Sequence, residues 1–346
     1  MVPHPVHIHL KVAHVRQVVF QIWMFLMAWS SQGQNTPYVT VSRTMDLMGS
    51  SCEISVVAVD EEIGYINIEE AVAEIQRIEK MISTTDKSSE TYLINENAGI
   101  GPVKVGADLF KLIERSIQIS EITEGAFDIT YAVLDNIWRF DGSMKYPPTE
   151  REIKGALEKV GYKKIILDPT ESTVFLKEKG MKISFVGIGK GYAADMAKEF
   201  LVSKEVRAGM INAGGDLTTW GTRASGEKWL LGVDDPEDPE KILSWLPIVE
   251  SSAATSLHDE KFLNFGGIQY TDVMDPRTGY PSTGIRSVSI FSKTAELSDA
   301  LSTAVFVLGA VEGLALIAQL RDTQALIVDT NNQLHKSSGL ILKTSK

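Results

Sequence analysis

Apolar and polar positions along this chain follow two different periods, and the periods mark out its elements. Over 67–83, Ile68, Val72, Ile75, Ile78 and Met81 recur at helical spacing and predict an amphipathic helix. A second amphipathic helix is predicted over 108–123, and Gly125 just beyond it can take a left-handed closing conformation. Thr149-Glu150-Arg151-Glu152 has the form of a capping box and opens a helix to about 160. Further helices are predicted at 192–202, 295–308 and 311–320. Residues 38–59 read as two strands around a turn at Met48-Gly49-Ser50, and 95–99 as a loop. Strands are predicted at 164–168, 173–177, 182–186, 208–211, 271–274 and 287–291. The stretch 217–269 reads mostly as short strands and turns, and a hairpin of 325–329 with 340–344 closes the chain. Helices and strands mix without regular β-α-β alternation. That predicts an α+β fold, one composite domain over 38–346 with mixed sheets and flanking helices.

The first 34 residues stand apart. They carry Lys11 and Arg16, no acidic residue, and an apolar run over 18–29 broken only by Gln21. Ser30-Ser31-Gln32-Gly33-Gln34 follows, the layout of a secretory signal peptide cleaved near Gly33 or Gln34. The run is short of the about 20 residues needed to span a bilayer. An exported, periplasmic or outer-face protein is therefore expected. Without the leader, His4, His7, His9 and His14 are gone, and only His258 and His335 remain. The leader carries +2, so the net charge of −11 becomes −13 without it. An acidic body argues against nucleic acid and anionic membranes as partners. The single cysteine, Cys52, excludes an intrachain disulfide and lies too far past the apolar run for lipid attachment there; it reads as a small apolar strand residue.

Five short segments carry candidate chemistry. Asp299 and Thr303 stand four apart on a predicted apolar helix and so share a face. They can offer two hard oxygens to a magnesium-like cation, or else cap the helix and bond back to its own backbone. Gly187-Ile188-Gly189-Lys190-Gly191-Tyr192 opens a helix after a strand. It lacks the sixth-position glycine of the dinucleotide fingerprint and the Ser or Thr of a Walker loop. A glycine loop remains whose Lys190 meets a phosphate or is simply solvated. Gly125-Ala126-Phe127-Asp128 offers either a close backbone approach with a ring and a carboxylate, or a buried Phe beside a capping Asp. Asn212-Ala213-Gly214-Gly215-Asp216 suggests a backbone pressed against a strand or a ligand. In Asp275-Pro276-Arg277-Thr278-Gly279-Tyr280-Pro281, Asp275 and Arg277 can pair and brace a rigid turn.

Taken in order, these segments resemble the FAD:protein FMN transferases, the ApbE-like flavin transferases. The resemblance runs from Met48-Gly49 to Thr303 and includes Asp195, Gly226 to Trp229 and Ala254-Thr255-Ser256. It implies the flavin transferase fold and Mg²⁺-dependent transfer of FMN from FAD to a Thr or Ser hydroxyl of a partner protein, with release of AMP. It implies Asp299, Thr303 and the Gly187 carbonyl as metal ligands. Met48, Ala126, Phe127, Asp128 and Val273 would line the flavin site, with Lys190 beside the cofactor. The implied partner carries Ser/Thr-Gly-Ala-Thr after an Asp, as in subunits of membrane electron-transport complexes; that motif is not in this chain.

Two departures touch the implied catalytic base. The family has a histidine where Thr271-Asp272-Val273-Met274-Asp275-Pro276 places Asp272. A carboxylate, with an ordinary pKa of about 3.9 against about 6.5 for histidine, is a weaker base unless burial raises it. After Thr255-Ser256 the family's glycine is replaced in Leu257-His258-Asp259, which supplies His258 as a substitute base. Ser184 stands where many members have an Asp-Leu-Gly run, and reads as structural. Two further readings follow from these departures: an FAD-binding protein without transfer, and an FAD pyrophosphatase giving FMN and AMP.

Overall fold

A hairpin starts the fold. β1 (Val39–Leu47) pairs antiparallel with β2 (Ser50–Ala58) across Met48-Gly49, whose φ values of 52° and 72° are those of a tight hairpin turn. The computed structural model describes residues 38–235, 238–248, 250–257 and 262–342. The expected leader over 1–34 and His258 lie outside them. Residues Val39–Lys346 form one unit. Cys52, Ile54 and Val56 of β2 point into the main core at period two. Burial, with Glu53 adding to it, pushes the Cys52 thiol up to about 11, in keeping with an inert apolar role.

Helix α1 (Glu61–Ile82) begins before the predicted 67, because Asp60 caps it by accepting from the Ile63 amide at 2.8 Å. Gly64 in that first stretch lets the helix lie directly on Val41 of β1. Helix α2 (Glu90–Glu96) is short, had no periodic signal, and runs into the loop expected at 95–99. The edge strand β3 (Val103–Lys104) precedes α3 (Ala107–Ile122), which ends with Gly125 at φ 80° as expected. A 3-10 helix over Ile129–Asn136 follows, and then α4 (Glu150–Leu157) with both halves of its capping box formed. Strands β4 (Ile165–Asp168) and β5 (Thr173–Leu176) complete a small sheet of order β3-β5-β4.

The strand expected at 182–186 does not form. The Asn95 carboxamide takes the place of a neighbouring strand there, accepting from Ile183 N at 2.8 Å and donating to Ile183 O at 3.0 Å. Ser184 N donates to Ile129 O at 2.9 Å. This segment leads into α5 (Gly189–Ser203).

Strands β6 (Gly209–Ala213) and β7 (Asp216–Trp220) form a hairpin, as do β8 (Trp229–Asp235) and β9 (Asp238–Ile248). After β10 (Ser252–Leu257) come β11 (Phe262–Phe265) and β12 (Ile268–Thr271). The strand expected at 271–274 reduces to the end of β12 and a single bridge from Met274 to Pro281. β13 (Ile285–Ser292) leads to α6 (Ala295–Ile317), which Gly309 breaks at φ 80° into the two helices expected. β14 (Gln324–Asp329) pairs with β15 (Leu334–Lys336) rather than with 340–344. Asp329 explains the shift: its carboxylate accepts from the Asn331 and Gln333 amides, both at 2.9 Å, and closes a tight turn. Of the expected strand, 340–342 has no regular structure, and 343–346 lies outside the described residues.

The principal sheet has eight strands in the order β1-β2-β6-β7-β10-β13-β14-β15, every neighbouring pair antiparallel. Helices α1, α5 and α6 cover one face. On the other, Val233, Leu246 and Ile248 of the β8–β9 hairpin pack on Leu217 and Leu326. This is the expected α+β arrangement of mixed sheets and flanking helices.

Helices α5 and α6 meet at Gly191, where an added Cβ would overlap the Ala295 carbonyl. Gly191→Ala is therefore expected to lower stability by about 1–3 kcal/mol in urea unfolding. Gly155→Ala in α4, with nothing within 4 Å of the added carbon, is expected to raise it by about 0.5–1 kcal/mol. Equal effects of the two would count against this crossing.

Candidate active site

The start of α6 is clamped before it presents any chemistry. Thr294 caps the helix through the Leu297 amide at 3.3 Å, so Asp299 is not the cap. The buried Asp195 of α5 accepts from the Glu296 amide at 2.8 Å. Arg115 of α3 grips Glu296 with two bonds of 2.6 and 2.8 Å. One turn on, buried Asp299 accepts from the Gly191 amide at 3.2 Å. Ser302 returns its hydroxyl to the Asp299 carbonyl at 2.8 Å and meets Ser256 of β10 at 2.7 Å.

Thr303 faces the entry to α5. Gly187, at φ 86°, lies so close that an added Cβ would stand 2.6 Å from Thr303 Oγ1. The glycine loop, Asp299 and Thr303 thus come together where α5 crosses α6. Lys190 extends from the same loop to form an ion pair with Asp216 at the start of β7. Its stem passes Gly214, which is itself pressed against Ser50 after the β1–β2 turn. Gly214 and Gly215, at φ 63° and 99°, take the left-handed conformations that turn β6 into β7, and Gly214 leaves space for the Ser50 side chain. Met48 sits at the same turn, half-buried on the main core.

The electrostatics are unbalanced. Burial pushes the Asp216 carboxyl well above the ordinary carboxylate range, Asp299 beside it adds to the rise, and Lys190 opposes it. Burial disfavours the Lys190 ammonium, but Asp299 and Asp216 outweigh that and hold its pKa above the usual lysine value. The Asp299 carboxylate, the Thr303 hydroxyl and the backbone at Gly187 make a hard oxygen set suited to a divalent cation of the magnesium type. Among the described residues no three His, Cys, Asp or Glu side chains cluster as metal ligands. A cation here would therefore depend on hydroxyl and carbonyl oxygens as well.

The other expected residues are placed differently. Ala126 and Phe127 are buried in the main core. Asp128 accepts from Thr130 N and Oγ1 at 2.8 and 2.7 Å, and from Tyr162 N at 2.7 Å. It thus caps the 3-10 helix, while burial raises its pKa against those bonds. Gly125 lies under Arg277, whose pairing with Asp275 at 2.9 and 3.0 Å is the brace expected of that turn. Val273 is half-buried against the cluster of β13 and α6.

Asp272 is exposed and lies near a residue that periodicity did not reveal. Asp135 lies at the surface, yet desolvation by its neighbours raises its carboxyl to about 6, with Lys182 pulling it down and Asp272 pushing it further up. Tyr131, on the same 3-10 helix, hydrogen-bonds Ser184, and its phenol is raised by burial. Asp135 sits in a short irregular helix, so no pattern of positions could single it out. Asp216 was visible only as the end of a glycine motif; its burial and its ion pair depend on β7 reaching α5.

Comparison with known proteins adds independent information. The model of the ApbE family matches residues 48–327. An FAD:protein FMN transferase of Klebsiella pneumoniae is 30% identical over 273 residues, covering 78% of this chain and 84% of that protein. One from Treponema pallidum is 27% identical over 319 residues and 87% of each chain. Among solved structures, the ApbE protein of Thermotoga maritima superposes with a TM-score of 0.79 at 30% identity, covering 86% of this chain and 97% of that one. The apo flavinyl transferase ApbE of Pseudomonas stutzeri, at 23% identity and a TM-score of 0.77 over 87% and 94%, supports the fold alone.

The clamp on α6 has a pH signature. Burial lifts Asp195 from 3.8 to about 6, against the bonds it accepts from the Glu296 and Ala295 amides. The native state then holds this proton more tightly than the unfolded chain. The associated stability is full below 3.8 and is lost as pH rises through about 6. Wild type is expected to lose about 3 kcal/mol against Asp195→Asn between those limits. Chemical unfolding across pH 3.5–7 measures it, and a constant difference would refute the assignment.

Proposed function

The chain belongs to the ApbE family, and we propose that it transfers the FMN half of FAD to a hydroxyl of an acceptor protein, releasing AMP. The observation that carries this reading is the meeting of Asp299, Thr303, Gly187 and Lys190 at the α5–α6 crossing. Asp299, Thr303 and the Gly187 carbonyl are the residues that would hold Mg²⁺. Bound there, the ion would neutralise charge on the diphosphate and on the departing AMP. The Gly191 amide orients the Asp299 carboxylate, and Lys190 supplies a positive charge beside the same position. The acceptor oxygen bonds to the flavin-side phosphorus, and the bond from that phosphorus to the bridging oxygen breaks. The bridging oxygen leaves with AMP, and the acceptor proton goes to a base.

Asp272 and His258 are the proposed bases. Support for Asp272 is its exposed position, where the family has its histidine, open to an incoming acceptor hydroxyl. Support for His258 is its place in the chain just beyond β10, which Ser256 ties to α6. Met48, Ala126, Phe127, Asp128 and Val273 are proposed to border the flavin, with core burial of 126 and 127 leaving their backbone as the contacting part. The acceptor is proposed to carry a Ser/Thr-Gly-Ala-Thr segment and to belong to a membrane electron-transport complex. The leader-like 1–34 supports an exported enzyme acting on the outer face of the cytoplasmic membrane. Hydrolysis of FAD to FMN and AMP uses the same cation site with water in place of the acceptor, and the loss of the family histidine at Asp272 keeps that reading open.

Incubating the protein with FAD, Mg²⁺ and an acceptor domain is expected to add one FMN mass to the acceptor. Asp299→Ala should cut the rate at least about 100-fold, given several kcal/mol of transition-state stabilisation by such an ion. His258→Ala and Asp272→Asn separate the two bases: the one in use should slow transfer by about 10²–10⁴. An unmodified acceptor with free FMN and AMP would replace the transferase reading by hydrolysis. Intact bound FAD would leave a binding protein.

A further inference from the structure

Lys190 and Asp216 form an unequal ion pair. The lysine side chain is 33% exposed and the aspartate 2%. The carboxylate cannot reach water, whereas the ammonium stands on a flexible stem at the edge of the site. Asp299, the carboxylate proposed above to hold the cation, stands beside Asp216 and raises its pKa. Lys190 pairs with Asp216 and also feels the charge of Asp299. The cation that the electrostatics place against Asp216 is this ammonium. The lysine stem runs past Gly214, within van der Waals reach of where a Cβ would stand there.

We infer that Lys190 is an exchangeable internal cation: its ammonium holds Asp216 and Asp299 together in the metal-free protein and yields that place when a divalent cation binds at Asp299. The inference rests on the cation-binding reading of the preceding subsection. A dication supplies Asp299 with more charge than the lysine can, and repels the ammonium at close range. The released side chain needs only rotations of its stem to swing toward solvent, where an anionic diphosphate would approach. Cation binding and diphosphate binding are thereby linked through one residue. Each carries charge the other requires, and the lysine passes from an internal acid to the incoming anion. No covalent bond changes in this exchange.

Two measurements on the full chain test it. In the first, Mg²⁺ alone is titrated by calorimetry into wild type, Lys190→Met and Lys190→Arg, with thermal unfolding followed in EDTA and in Mg²⁺. Lys190→Met is expected to bind Mg²⁺ at least about tenfold more tightly than wild type, because no ammonium has to leave before the dication can settle. It should also unfold at lower temperature in EDTA and recover in Mg²⁺. Lys190→Arg, which keeps the charge, should stay near wild type. Equal or weaker Mg²⁺ affinity in Lys190→Met overturns the exchange. The second needs no variant: Lys190 acylation in wild type, read by peptide mass spectrometry, should rise severalfold when Mg²⁺ replaces EDTA. Unchanged labelling in a protein that binds Mg²⁺ also overturns it. A wild type with neither binding heat nor a thermal shift in Mg²⁺ overturns the cation reading itself, and the exchange with it.

Discussion

Helix α5 can approach α6 closely only because residue 191 has no side chain. That contact fixes the rest of the site. It sets the Gly191 amide on the Asp299 carboxylate and brings Gly187, four residues earlier, against Thr303. It also aims Lys190 at the first residue of β7. Since α5 lies on β6 and β7 and α6 on β10 and β13, the crossing joins strands that are far apart in sequence. The site is thus a property of how two helices share one face of the sheet.

The ties around this crossing are mostly charged or charge-assisted, and they come from different elements. Arg115 reaches Glu296 from α3, Asp195 holds the same residue from α5, and Lys190 meets Asp216 from β7. Buried acids are costly unless partnered. Asp195 and Asp216 are both partnered, yet both remain above the ordinary carboxylate range. At Asp216 and Asp299 the fold therefore sets two acids side by side. Such a concentration is a reason for a cation or a proton to bind there.

Much of this was legible before the structure, for local reasons. The Thr149–Glu152 capping box, the left-handed Gly125 and the Met48-Gly49 turn are decided within a few residues, and each formed as read. Asp299 and Thr303 share a face by helical geometry alone, so their pairing could be read from spacing. What escaped depends on distant partners. Apolar alternation at 182–186 looks like a strand, yet that segment has a carboxamide for a neighbour. Helix α2 is too short to show a period. Asp135 and Asp216 acquire their chemistry only when Asp272 or Lys190, far along the chain, comes near. The side chains of Ala126, Phe127 and Asp128 belong to the core and a helix cap, so a motif can mark a site while its side chains serve the scaffold.

The Asn95 bridge to Ile183 has a chemical consequence beyond its geometry. An amide can donate from one end and accept at the other, whereas a carboxylate can only accept. Slow hydrolysis of that single amide would leave the Ile183 carbonyl without its donor and set a negative charge beside it. The segment that delivers Gly187 would loosen while every helix and sheet stayed in place. An ageing preparation could thus lose its active centre through one neutral residue, with its overall secondary structure unchanged.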